Sequence, residues 1–219
     1  YVCMSQYQTQ EITTQIARFS YADGALELKA AGQINGTIHD SFCLDENNGY
    51  LRAVVTRYPN GWGGQESNGL YVLDENMKVS GKIEDLAFGE SIQSARFLGD
   101  TGYFVTYKQV DPLFSVDLKD PENPKVIGEL KVTGFSEYLH PYGDGKLLGI
   151  GMDVSEDGFT TEGVKLSMFN VTDPSNVTEE NKYTIEESYG TDVGYNYKGV
   201  FVDVQKNLFG FVTYHDGVT

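Results

Sequence analysis

Few side chains in this sequence combine the types and spacing that chemistry needs. GFSEYLHPYGDG (Gly134 to Gly145) holds His140 with Tyr138 and Tyr142 alternating about it, and Arg96 occupies a comparable place in QSARFLGD. Imidazole, phenol and guanidinium converging on one point could bind an anionic or sugar-like ligand, or supply acid–base groups. The same residues also have a structural use, since polar side chains on inner strands satisfy neighbouring backbone groups or channel water. With three histidines in the chain, a catalytic triad or multi-His metal centre has little material. No G-x-S-x-G, H-E-x-x-H, phosphate loop or Cys/His zinc spacing occurs.

Two acidic stretches raise calcium. MDVSEDG (Met152 to Gly158) offers Asp153, Glu156 and Asp157, hard oxygen ligands that could hold Ca²⁺, although turn chemistry alone explains them. DENNG (Asp45 to Gly49) opens like an EF-hand loop, but its twelfth position, where a bidentate Glu belongs, is Thr56. No other cofactor is indicated. Trp62, the only tryptophan, lies in YPNGWGGQESNG. An indole there can stack on a sugar ring or anchor a partner, or fold back over a sheet edge.

The elements that must position these residues are written in repeats. LFSVDLKDPENPKVIGEL (Leu113 to Leu130) aligns without a gap on LSMFNVTDPSNVTEENKY (Leu166 to Tyr183), with Asp120-Pro121 on Asp173-Pro174 and Gly128 on Asn181. SNGLYVLDENMKVSGKI places Gly81 in the part of Gly128, and TTQIARFSYADGALELKAAGQI places Gly32 there. Between these hairpins recurs a second pair of alternating runs, about DENNG, GDTG, GDG and QKN. Asp, Asn and Gly supply the left-handed conformations of tight hairpins, and the flanking Val, Phe, Tyr and Leu suit strands. No stretch carries a sustained, capped helical period.

One unit of four strands in about 43–54 residues is the arithmetic of a β-propeller blade. The reading is an all-β chain of four-stranded antiparallel blades forming a single propeller segment over residues 1–219. Complete blades are expected at 38–84, 91–131 and 135–186, with partial ones at 1–34 and 196–214. Because both end pieces include a second strand, they are not complementary halves, which argues for an open arc of a larger ring.

Composition narrows the partners. The chain has 219 residues, with 32 acidic against 16 basic and a formal charge of −16, so it repels phosphate backbones. That charge disfavours nucleic acid and anionic membrane as partners, and no apolar run approaches the roughly 18 residues of a membrane helix. Surplus carboxylates also serve solubility. Cys3 and Cys43 could pair in a secreted chain or stay as buried thiols. Strand edges at Val2–Tyr7 and Phe209–Thr213 are candidates for self-pairing.

Several long motifs recur in order: Val110–Leu113, Asp120-Pro121, Asn123–Lys125, Gly134–Ser136, Tyr138–Gly143, Gly49–Ala53 and Ala95–Asp100. On these the chain resembles a family of secreted or surface proteins of bacteria and archaea that carry a C-terminal β-propeller distantly related to WD-type repeats. It departs from that pattern at Cys43 and in the Gly- and Asn-rich insert around Trp62. The resemblance implies an extracellular setting and a propeller longer than this segment, and it implies no chemistry. The leading expectation is a non-catalytic module binding a protein or cell-surface glycan. The alternatives are an enzyme acting on a small or sugar-like ligand at a channel mouth around Arg96, Tyr138 and His140, and a structural spacer in a multidomain surface protein.

Overall fold

The computed structural model describes residues 1–7, 11–58, 65–107, 111–155 and 160–215. Among them are nineteen strands and no α-helix; two short 3-10 turns are the only helical pieces. No helix among the described residues is long and apolar enough to cross a membrane.

A three-stranded antiparallel sheet comes first: β1 (Val2–Tyr7), β2 (Ile12–Ala22) and β3 (Ala25–Asn35). Three four-stranded sheets follow in chain order. They are β4 (Leu44–Asn47), β5 (Tyr50–Arg57), β6 (Ser67–Leu73) and β7 (Val79–Leu86); β8 (Ser91–Leu98), β9 (Thr101–Tyr107), β10 (Asp111–Asp117) and β11 (Lys125–Val132); and β12 (Phe135–Pro141), β13 (Lys146–Val154), β14 (Thr161–Asn170) and β15 (Thr178–Glu186). Each runs as a meander, every strand paired with its sequence neighbour. The last described residues make two small pairs, β16 (Ser188–Thr191) with β19 (Thr213–His215) and β17 (Phe201–Asp203) with β18 (Leu208–Gly210). The all-β reading and its four-stranded antiparallel unit hold.

The turns explain why the strands stop where they do. Asp23-Gly24 and Asn48-Gly49 carry positive φ at both positions, +51° and +79°, then +51° and +83°. They close two-residue hairpins between the paired residues Ala22–Ala25 and Asn47–Tyr50, as strand twist demands. The Asp-Glu-Asn turn at Asp74 and the Asp-Pro-x-Asn turns work differently. Asp74, Asp120 and Asp173 each accept a bond at Oδ1 from the backbone N–H two residues on, at 2.8, 3.0 and 2.9 Å. This is the local capping that makes Asp a turn residue.

The chain divides into two compact units: Tyr1–Ile92 with Phe97–Thr101 and Asp117–Lys125, and Gln93–Arg96 with Gly102–Val116 and Val126–Thr219. In the first, Ile16 and Ile34 pack with Leu51, Ala53, Val55, Tyr71, Leu73 and Met77, all buried, while Cys3, Ala30, Ile38 and Leu44 close the margin. Each large aliphatic side chain buried there contributes roughly 1.5–3 kcal/mol. Cys43 is fully buried and Cys3 half-buried; both are free thiols, and burial pushes both up. In the second unit Phe104, Leu139, Leu147, Ile150, Val164 and Phe169 are buried, and Phe104 packs against Phe114 with ring centroids 5.3 Å apart.

The repeated glycine now has a cause. A Cβ on Gly32 would lie 2.1 Å from the Met77 carbonyl oxygen, and one on Gly81 would lie 2.3 Å from that of Pro121. On Gly128 it would meet Ser115 Oγ at 2.5 Å and the Pro174 oxygen at 2.9 Å. In each case an outer strand receives the Asp-turn of the sheet that follows, and only a residue without a side chain admits that backbone.

Candidate functional site

β8 and β12 are edge strands of successive sheets, and both carry polar residues at alternate positions. Period-two alternation sends Ser94 and Arg96 to one face of β8, and Tyr138 and His140 to one face of β12. Side chains of β8 reach the β12 backbone directly. Ser94 Oγ donates to the Ser136 carbonyl at 2.6 Å, and Arg96 Nε donates to the Leu139 carbonyl at 2.7 Å. The Arg96 guanidinium lies 5.3 Å from the Tyr138 ring centroid, within cation–π range. The Tyr138 hydroxyl is 2.7 Å from His140 Nδ1.

The structure thus brings three sequence-predicted residues together. Arg96 is anchored to backbone and stacked on Tyr138; Tyr138 is buried and bonded to His140. His140 is half-buried, and its pKa is lowered first by loss of solvent and then by the Arg96 charge, so the ring is neutral at pH 7. When Tyr138 is the donor, the imidazole proton sits on Nε2, and no described residue takes a bond there. A charged planar donor, a neutral imidazole and a phenol thus lie on one short path, groups whose chemistry suits hydrogen bonding to hydroxyl or anionic groups.

Glu137 is a functional candidate that sequence reasoning missed. The β12–β13 register shifts between Ser136 and Tyr138, so Glu137 is the extra residue of a β-bulge. Bulges re-aim a side chain, and here the carboxyl runs beside Gly194, where a Cβ would meet Glu137 Cβ at 3.4 Å. Burial alone raises its pKa. No hydrogen bond or ion pair joins its carboxyl to another described residue. Strict alternation hides such a residue, because a bulge breaks the period that would reveal it.

Asp153 is buried, and its carboxylate accepts from Lys182 Nζ at 2.9 and 3.0 Å and from Thr184 Oγ1. It lines an open groove of about 580 Å³ with Thr160, Thr161, Glu162 and Glu186. Glu156, Asp157 and Trp62 lie outside the described residues. Among those described, no group of three or more His, Cys, Asp or Glu is placed to hold a metal ion. In DENNG, Asp45 accepts from Arg52 Nε at 2.9 Å, so its carboxylate serves a buried arginine. Asp40, beside His39, caps the 3-10 turn at Ser41–Cys43, accepting from Phe42 N at 2.8 Å and Cys43 N at 3.1 Å.

Similar proteins exist in archaea. An uncharacterized protein of Archaeoglobus fulgidus is 40% identical over 213 residues, which is 94% of this chain and 32% of that protein. An uncharacterized protein of Methanocaldococcus jannaschii is 44% identical over 161 residues, 74% of this chain and 25% of that one. The chain therefore spans a third or less of these relatives. Among solved structures, a subtype N10 neuraminidase-like protein of A/little yellow-shouldered bat/Guatemala aligns over 85% of this chain and 68% of its own. Its TM-score is 0.41 at 9% identity, a likeness too distant to carry an argument. The family model described as a beta propeller domain matches residues 1–217, and the chain belongs to that family.

Proposed function

We propose that the chain is a non-catalytic β-propeller module of a larger extracellular protein, binding a protein or cell-surface glycan through side chains of its edge strands. The observation that supports this is the joining of Arg96, Tyr138 and His140 across β8 and β12. Arg96 is held by backbone and ring, so recognition draws on a preorganised surface, which limits the entropy lost on binding. The test pairs a glycan array with a pull-down from cell-surface extract, using the intact chain and its His140→Ala variant. Retention of a ligand by the intact chain, weakened in the variant, is expected; blanks in both assays refute the reading.

A second reading, catalysis on a small or sugar-like ligand, draws on Glu137. A half-buried carboxyl with no hydrogen bond to another described residue, re-aimed by a bulge three positions before the half-buried His140, supplies a second group of the type that acid–base chemistry uses. It requires turnover that disappears in Glu137→Gln while the array signal persists. Binding without turnover of the bound ligand removes this reading.

A further inference from the structure

Three Asn-x-Thr triplets occur in the chain: Asn35-Gly36-Thr37, Asn170-Val171-Thr172 and Asn176-Val177-Thr178. Such a triplet is the acceptor of an N-linked glycan when it lies on the surface of a secreted protein. Two side chains carry the chemistry. The Asn carboxamide nitrogen is the nucleophile, and the Thr hydroxyl is the group by which a transferring enzyme holds the triplet. Both must be free of their own neighbours, and the fold treats the three triplets differently.

The first two are engaged. Asn35 is the last residue of β3 and pairs with Thr13. Gly36 N donates to the Ile12 carbonyl at 2.8 Å, and Thr37 exchanges two backbone bonds with Thr56, at 2.8 and 3.0 Å. The backbone of that triplet is therefore already paired. Asn170 ends β14 and uses both ends of its carboxamide: Nδ2 donates to Glu180 Oε1 at 2.7 Å, and Oδ1 accepts from Thr172 N at 3.0 Å. Its nitrogen is committed to a carboxylate.

Asn176 differs. It is exposed, as is Thr178, and neither the carboxamide nor the hydroxyl has a hydrogen bond to another described residue. Val177 between them is buried, so alternation turns Asn176 and Thr178 to solvent on the same side. The preceding repeat shows what sets this carboxamide loose. In the turn Asp120–Asn123, Asn123 Nδ2 donates to Asp120 Oδ2 at 2.8 Å. In the turn Asp173–Asn176, Asp173 draws its second donor from Ser175 instead, accepting at Oδ1 from Ser175 Oγ at 2.7 Å as well as from Ser175 N at 2.9 Å. The earlier turn is followed by Pro124 and Lys125 and makes no triplet.

This exposure does not belong to an open end of the chain. The surface that receives the turn is present: Ser115 Oγ donates to the Pro174 carbonyl at 2.5 Å, and Gly128 admits the same turn. Asn176 N donates to the Asp173 carbonyl at 3.0 Å, so the acceptor stands on a fixed bend with its side chain outward.

We propose that Asn176 is an N-glycosylation site, selected by the fold over Asn35 and Asn170. The proposal rests on the extracellular reading above. In the step, Asn176 Nδ2 attacks C1 of an oligosaccharide carried on a polyprenyl phosphate. The C1–N bond forms as the C1–O bond breaks, the lipid phosphate leaves with the bonding pair, and Nδ2 gives up one proton. Nothing is oxidised or reduced.

The test offers the folded whole chain, made in a bacterium without such a transferase, to an archaeal single-subunit oligosaccharyltransferase and its lipid-linked oligosaccharide. Peptide mass spectrometry is the readout, and a proteolytic digest of the same chain is the control. Glycan is expected on all three triplets in the digest. In the folded chain it is expected on Asn176, with Asn35 and Asn170 lagging by about tenfold or more because each must first open locally. Thr178 is exposed, so Thr178→Val keeps the fold by circular dichroism while losing the modification, and Thr178→Ser keeps both. A bare Asn176 in the folded chain, equal transfer to Asn35 or Asn170, or transfer that survives Thr178→Val overturns the proposal. The whole protein recovered from its native cell separates the site from the reading beneath it. Glycan on Asn176 in the envelope fraction is expected, and a bare Asn176 there overturns the site. A protein confined to the cytosol, with transfer to the folded chain intact, overturns the extracellular reading and with it the modification in the cell.

Discussion

Replacing Gly81 with Ala tests the account of the repeat at one atom. The added Cβ would stand 2.3 Å from the Pro121 carbonyl oxygen, 2.7 Å from Pro124 Cδ and 2.8 Å from the Glu122 carbonyl carbon. Two of these are backbone atoms and the third belongs to a rigid ring, so β7 and the 120–124 turn must separate. Forcing a methyl group into a packed contact costs about 1–3 kcal/mol, and an immovable carbonyl places Gly81 near the top of that range. Against this, Ala stabilises a strand interior by roughly 0.5–1 kcal/mol over Gly. The net loss is about 2 kcal/mol, which for a chain of this size lowers the melting temperature by roughly 4–8 °C. Gly210 in β18 is the control: a Cβ there has nothing within 4 Å and no positive φ is involved, so Gly210→Ala should be neutral or slightly stabilising. Calorimetric melting of the two variants beside the parent reads the difference. A Gly81→Ala protein that melts with the parent or above it refutes the claim that the recurrent glycine exists to admit the next turn.

Three further outcomes follow from charges and thiols. Arg52 is 3% exposed, bonded to Asp45 and to the Gly99 carbonyl at 2.7 Å, and stacked 4.9 Å from the Phe97 ring centroid. Arg52→Ala should cost about 3 kcal/mol in urea denaturation, the low end for a broken buried pair because Asp45 is partly solvated; a loss below about 1 kcal/mol would sink that reading. The His140 pKa lies below 6.5 in the folded chain, so the unfolded chain binds more protons as pH falls from 6.5 through the folded value, and stability drops in that window. His140→Gln flattens that part of the stability curve, while Glu137, raised above 4.5, acts with the opposite sign and loses its contribution as pH rises through its folded value. An imidazole NMR titration at or above the ordinary value would contradict the burial of His140. Finally, Cys43 should resist a thiol reagent until the chain is unfolded, with Cys3 reacting first; equal native rates would deny the burial difference.

What the sequence reveals depends on how local the cause is. Asp74, Asp120 and Asp173 cap their own turns through bonds two residues away, so the repeat of Asp, Asn and Pro is visible without knowing what packs where. Gly32, Gly81 and Gly128 stand out for the opposite reason. Their constraint comes from a neighbouring turn, but the same neighbour recurs at each repeat, and periodicity converts a non-local contact into a local pattern. Arg96, Tyr138 and His140 are a partial case: alternation puts Tyr138 and His140 on one face, whereas nothing in the chain says that Arg96 reaches the Leu139 carbonyl.

Where a feature occurs once and is non-local, no such pattern forms. Glu137 and Tyr189 both occupy bulges, and a single extra residue removes the period-two signal at the position where a side chain is turned to a new direction. The β16–β19 pair joins segments more than twenty residues apart through strands of four and three residues, too short to register as alternation. Tyr189 and Tyr214, which it brings within 6.1 Å of each other, read in the sequence as ordinary strand formers. Bulges and short non-local pairs free side chains from the repeat that the rest of the chain obeys, so a strand pattern read from sequence says least at those positions. Deleting Glu137 would make the β12–β13 ladder regular while Tyr138 and His140 keep their partners Ile150 and Leu148, and so their face; the variant therefore removes the re-aimed carboxyl and leaves the Arg96 contacts in place.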